Sequence, residues 1–167
     1  MKFLKTLGNV IYTVTGCYIS LALVLIVILS FAQVLSRFIF KFSIAWSQEL
    51  IVFLLIWLVF LGCSMGLRDK EIAKISLLTV RVSPIIQKIL GLSVNLILLS
   101  FFIVTAITDI ELIRFSAMRK SSIMHINMAF VSSAYIVGAI TMAYNCFIFL
   151  VDEFIDFSIF LKEEKKK

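Results

Sequence analysis

The sequence predicts an all-α integral membrane protein: four transmembrane helices, a short interfacial helix, and both termini in the cytoplasm. Three observations predict it. The first is composition: 62% of the 167 residues are hydrophobic and 16% charged, with a mean hydropathy of +1.10. A soluble domain has roughly 45–50% apolar and about 25% charged residues. The second is patterning: charges are absent from four long runs and gathered between them. The third is the scarcity of chain breakers, one Pro and six Gly, which leaves little room for long loops. A single transmembrane domain over 1–167 follows, with spans at about 10–36, 46–67, 85–108 and 128–151 and an interfacial amphipathic segment at about 69–82.

The first run follows a short basic start, Lys2 and Lys5, and carries no charge from Thr6 to Ser36. A signal peptide has an apolar core of roughly 7–15 residues and a small-residue cleavage site. This run is about twice as long and has no clean A-x-A step, so it reads as the first span. Ser30 and Gln33, near its end, are expected to face protein or headgroups rather than lipid. The turn that follows is aromatic and amphipathic, with Phe38, Phe40, Phe42, Trp46 and Lys41, and suits the membrane interface.

The second span is uncharged from Leu50 to Leu67. Glu49 falls in its opening turn, where the helix dipole favours a carboxylate. Gly62 and Gly66 form a G-x-x-x-G step, which permits close helix approach. Beyond Arg68, residues Ile72, Ile75, Leu78 and Val82 recur at helical spacing, with Lys70, Lys74 and Arg81 placed elsewhere. That pattern suits a short helix lying on the membrane, against the alternative of a plain solvated loop.

Ser83 and Pro84 then read as an N-cap and a first helical position. The third span carries Asn95 as a candidate buried polar residue. The connection 109–127 mixes Asp109, Glu111, Arg114, Arg119 and Lys120, and its first part is open to extending the third helix. The fourth span holds Tyr135, Tyr144 and Asn145, and the tail from Asp152 is open to continuing it.

Lys and Arg set the orientation. The two ends and the 68–88 connection hold 11 of the 16, and the 37–41 turn with the 109–120 connection holds 5. The excess places the termini and the middle connection in the cytoplasm. Net charge is +6, but the bases lie between apolar spans and at the ends. Topology and anionic headgroups account for them better than nucleic acid does.

Little in the chain supports catalysis. One histidine, His125, excludes a bis-histidine haem on this chain alone, and no Ser-His-Asp grouping can be argued from it. Cys17, Cys63 and Cys146 form no C-x-x-C or C-x-x-H pair and read as small buried thiols. No P-loop is present. No cofactor and no metal is expected. The spans carry no charge at mid-depth and no Pro, whereas transport sites tend to use ionisable groups and broken helices there. The chain therefore reads as a scaffold that works with another protein rather than as an enzyme.

Six positions in 37–71 carry a resemblance: Arg37, Trp46, Glu49, Trp57, Gly62 and Arg68. Their order and spacing resemble the Q-type small four-helix membrane subunit of tripartite ATP-independent periplasmic (TRAP) transporters. That family shows an arginine after the first helix, then a tryptophan and one or two acids opening the second. A tryptophan-containing apolar run, a glycine and a further arginine complete the pattern. Gln48 stands where a second acid is frequent. Glu71 and Ile72 occupy the region of a frequent histidine, and Ala129-Phe130 the place of a proline before the fourth helix.

The resemblance implies a small scaffold subunit of a sodium-driven symporter in the bacterial inner membrane. Its partners would be a large transmembrane subunit that carries the sodium and substrate sites and moves as an elevator, and a periplasmic binding protein. The substrate would be a carboxylate, of sialic acid or C4-dicarboxylate type.

Three roles are expected. Glu49 pairs with Arg37 or with a base on the large subunit. Arg68 and the amphipathic stretch, with Lys70 and Lys74, hold membrane phospholipids. Arg114, Arg119 and Lys120 help to dock the binding protein. Rival classes are a membrane anchor of a redox complex, which a single histidine disfavours, and a small multidrug exporter, which needs an acid deep in the first span.

Overall fold

The computed structural model describes residues 2–69 and 84–164. Four long helices account for nearly all of them: α1 (Lys2–Phe38), α2 (Ala45–Arg68), α3 (Pro84–Ala117) and α4 (Met128–Glu164). All four are long and apolar enough to cross a membrane. No strand occurs among the described residues; the one extended feature is an isolated antiparallel bridge between Lys120 and Asn127.

The helices form where the chain lacks breakers and charges, and most run past the spans drawn from hydropathy. At 1.5 Å per residue, α2 is about 36 Å long, close to one bilayer crossing. The other three are about 50–55 Å by the same rise, so they tilt or project. α3 continues through Asp109, Glu111 and Arg114, and α4 through Asp152 and Glu153. Pro84 occupies the first position of α3, where its missing N–H costs nothing. The expected interfacial helix lies, apart from Asp69, outside the described residues.

Five hydroxyl groups within the helices are satisfied locally. Thr13, Ser20, Ser93, Thr105 and Thr141 each donate to the carbonyl four residues back. Such back-bonding removes the need for an outside partner in lipid.

The helices pack in a row: α1 on α2, α2 on α4, and α4 on α3. α2 and α4 occupy the centre and contribute most of the buried residues, including Phe53, Leu61, Leu67, Val131, Ala134, Met142 and Cys146. Leu98, Leu99 and Phe102 of α3 close on Leu67, Met142 and Cys146. The flanking helices stay bare. In α1, Leu21, Val24, Val27, Ile28 and Phe31 are exposed, as are Ile97, Phe101, Val104 and Ile107 in α3.

The close helix crossing is not at Gly62 of the G-x-x-x-G step. A Cβ built on Gly62 meets nothing within 4 Å, whereas one on Gly138 of α4 would come within 2.8 Å of the Cβ of Phe60. Gly62 points away from the other helices, and Gly138 is the residue whose missing side chain lets α2 and α4 meet.

Candidate partner-contact site

Two ends can be distinguished by what closes them. One holds the 39–44 turn and the 118–127 loop. The other holds the starts of α1 and α3 and the ends of α2 and α4.

At the loop end, the 39–44 turn is stapled to α1. The Phe42 amide donates to the carbonyl of Ser36 at 3.3 Å, and the Ser36 hydroxyl to the carbonyl of Phe42 at 3.1 Å. Lys41 takes a left-handed conformation, φ 55°. The 118–127 loop is closed at its base. The Ser121 amide donates to Ile126 at 2.9 Å and the Met128 amide to Arg119 at 3.0 Å. Asn127 caps α4 by accepting from the Ala129 amide at 2.9 Å. Below it, the buried hydroxyls of Ser132 and Ser116 meet at 2.9 Å and join α4 to α3.

Glu49 reaches into this loop. Its Oε1 accepts from the amides of Ser122 and Ile123 at 3.1 and 3.4 Å, and its Oε2 from Met124 at 2.8 Å. Consecutive amides that converge on one carboxylate form an anion-binding nest. This corrects the expected pairing with Arg37, which stands exposed in the last turn of α1. It also corrects the dipole reading. α2 begins at Ala45 and has no acid in its first turn, so Glu49 serves the loop's amides rather than those of its own helix.

Side chains around the nest point outward. Arg114, Arg119, Lys120 and His125 are exposed. Met118 and Ile123 are exposed by 87% and 49%, which leaves apolar surface among the bases. Phe38, Phe40, Phe42 and Trp46 are exposed on the neighbouring turn. Arg37, Arg114, Arg119 and Lys120 thus share one end with Glu49, yet only Glu49 of these five is engaged with the loop backbone.

Trp57 sits deeper in α2. Its ring centroid lies 6.1 Å from that of Tyr18 in α1 and 5.6 Å from that of Phe130 in α4. It joins three helices, and its buried indole N–H has no hydrogen-bond partner among the described residues.

At the opposite end, Arg68 is turned toward α1. Its guanidinium donates to the carbonyl of Gly8 and to Oδ1 of Asn9, and lies 4.5 Å from the centre of the Tyr12 ring. The Tyr12 hydroxyl donates to Asp69 at 3.1 Å. Arg68 thus helps to line a shallow cleft with Thr15, Ser64, Tyr144 and Asn145. Asn145 spans from α4 to α2 by donating to the carbonyl of Ser64 at 3.1 Å. A second polar bridge joins α3 and α4, where Asn95 donates to Oε2 of Glu153 at 2.8 Å beside Gly91.

The sequence singled out Glu49, Arg68 and Asn95 but not their hydrogen-bond partners, which lie 58 to 75 residues away, several of them backbone groups with no side-chain signature. Among the described residues, no three His, Cys, Asp or Glu side chains cluster as a metal site.

The sequence model of the DctQ component of tripartite ATP-independent periplasmic transporters matches residues 26–155. No curated protein matches the chain. Members of that family work with a large membrane subunit and a binding protein, and are transporter components rather than enzymes. The match takes in Glu49, its loop, all of α2 and most of α4, and well over half of the sequence. The chain belongs to the DctQ family, the small components of TRAP transporters, and is a multi-pass membrane protein.

Proposed function

We propose that the chain is the scaffold subunit of a sodium-driven, binding-protein-dependent transporter for a carboxylate substrate, of sialic acid or C4-dicarboxylate type. It forms a single transmembrane domain in the bacterial inner membrane. Both termini and the 69–82 segment face the cytoplasm, with that segment lying on the membrane as an interfacial helix and its bases on phospholipid phosphates. The Glu49 end faces the periplasm.

The observation that carries this reading is the row of helices with uncovered apolar flanks. A row one helix deep cannot enclose a path of its own, but it widens a partner that does. The exposed bases Arg114, Arg119 and Lys120 gather at the end assigned to the periplasm, where a soluble binding protein arrives. Positive rim charges of this kind steer encounter and set orientation. Arg37, Trp46 and Gly62 remain free to touch the large subunit or lipid.

The test is reconstitution. The chain is co-expressed with a large subunit of a TRAP transporter, purified through a tag on the chain alone, and placed in liposomes with the binding protein. Sodium-dependent uptake of labelled sialic acid or C4-dicarboxylate that requires the chain supports the proposal. Uptake of equal rate without the chain overturns it.

A further inference from the structure

We infer that Glu49 is a positioning residue for docking: it holds the 118–127 loop in the one shape that presents Arg119 and Lys120 to an acidic face of the binding protein. The inference rests on the reading that the loop end receives that protein.

Three observations support it. First, the carboxylate takes up all three consecutive amides at the loop tip, Ser122, Ile123 and Met124. With those amides turned inward, the side chains of Ser122 and Ile123 are turned out and exposed. Second, the loop base is already closed by the Lys120–Asn127 bridge and by the Ser121–Ile126 and Arg119–Met128 bonds. Arg119 and Lys120 sit on that base, so a fixed tip and a fixed base together fix their direction. Third, His125 holds a left-handed conformation, φ 54°, in the same loop. A non-glycine residue there is uncommon and persists where surrounding bonds over-determine the backbone.

Glu49 belongs to α2, whereas the loop joins α3 to α4. The nest therefore ties the docking bases to α2 rather than to their own hairpin alone. A binding protein that meets a preset pair of bases avoids the entropy of ordering them on contact. Losing Glu49 leaves the bases in place but loose, which weakens docking without touching the path of the substrate.

The experiment measures sodium-driven uptake by the full reconstituted complex against binding-protein concentration. Glu49→Ala is expected to raise the half-saturating concentration about fivefold to tenfold, the scale of one or two rim contacts, with the maximal rate within about twofold. Arg119→Glu with Lys120→Glu is expected to raise it by at least as much. If the charge reversal raises it and neither Glu49→Ala nor Glu49→Gln does, the positioning role is overturned while docking at this loop stands. If none of the three changes it, docking at this loop fails and the inference with it. If Glu49→Ala yields no complex, Glu49→Gln decides. A lower maximal rate at unchanged half-saturation assigns Glu49 a structural role only and overturns the inference.

Discussion

Gly138 of α4 faces Phe60 of α2 so closely that a methyl group at 138 would lie 2.8 Å from the Phe60 Cβ. A Cβ cannot swing aside as a side-chain tip can, so the two helices would have to separate. The Phe60 ring is meanwhile held edge-on to Tyr135 of α4 at 4.6 Å. The crossing of the two central helices depends on this one missing side chain.

Gly138→Ala is therefore expected to destabilise the subunit by about 1–3 kcal/mol, the usual range for overpacking a close contact. Gly62→Ala serves as the control, because a Cβ there meets open space. Removing a glycine from a helix interior is by itself favourable by about 0.5–1 kcal/mol. Thermal unfolding of the detergent-purified subunit checks both. Equal effects at the two positions would show that the crossing does not rest on Gly138.

The Asn95–Glu153 bridge makes a second prediction. Glu153 lies against Gly91, where an added Cβ would come within 2.7 Å of its Oε1. Here the obstructing atom is the tip of a flexible side chain, so Gly91→Ala is expected to be milder than Gly138→Ala. It should break the bond to Asn95 and cost on the order of 0.5–2 kcal/mol, the scale of an interhelical hydrogen bond in a membrane. Asn95→Ala should cost a similar amount, and nothing further in a Glu153→Ala background. Independent, additive losses in that double-mutant cycle would rule out the coupling.

Arg68 joins the end of α2 to the start of α1. Its fork reaches the Gly8 carbonyl and Asn9 at once, and its guanidinium lies over the Tyr12 ring. A lysine keeps the charge but has neither the fork nor the plane. Arg68→Lys should accordingly loosen α1, raising amide hydrogen exchange around residues 8–12 by about tenfold, which corresponds to local opening easier by about 1.4 kcal/mol. Exchange as slow as in the unaltered protein would mean that the packing of α1 on α2 suffices alone.

Why some of this was readable in advance and some was not follows from range. The four helices were legible because the absence of charge over a bilayer's length is a local property, visible at 50–67 without knowing any neighbour. Asn95 was legible as a polar residue in an apolar run. Its partner was not, because Glu153 looks in the sequence like the first turn of a polar tail. Glu49 was legible as important, but the pairing with Arg37 expected of it does not form. An acid near an arginine suggests an ion pair, whereas its true partners are three backbone amides more than seventy residues on, and every residue but proline has one. Gly62 of the G-x-x-x-G step makes a related point. Spacing shows that two glycines share a face, but only packing shows whether anything lies opposite.

Trp57 draws the last prediction from an unfilled bond. Its ring packs between Tyr18 and Phe130 and so ties α1, α2 and α4 together, yet its indole N–H is buried without a partner among the described residues. Two effects oppose each other when it is replaced. Losing the ring removes dispersion and apolar contact, about 3–5 kcal/mol for a large aromatic cut to alanine. Losing the N–H removes a buried polar group whose unpaired state costs roughly 1–3 kcal/mol. Phenylalanine gives up part of the ring and all of the N–H, so the two terms offset. Trp57→Phe is thus expected to leave the melting temperature of the isolated subunit within about 3 °C, while Trp57→Ala lowers it well beyond that range. A drop for phenylalanine as large as for alanine would mean that the N–H contributes a real bond, and that the indole is held by more than its two aromatic neighbours.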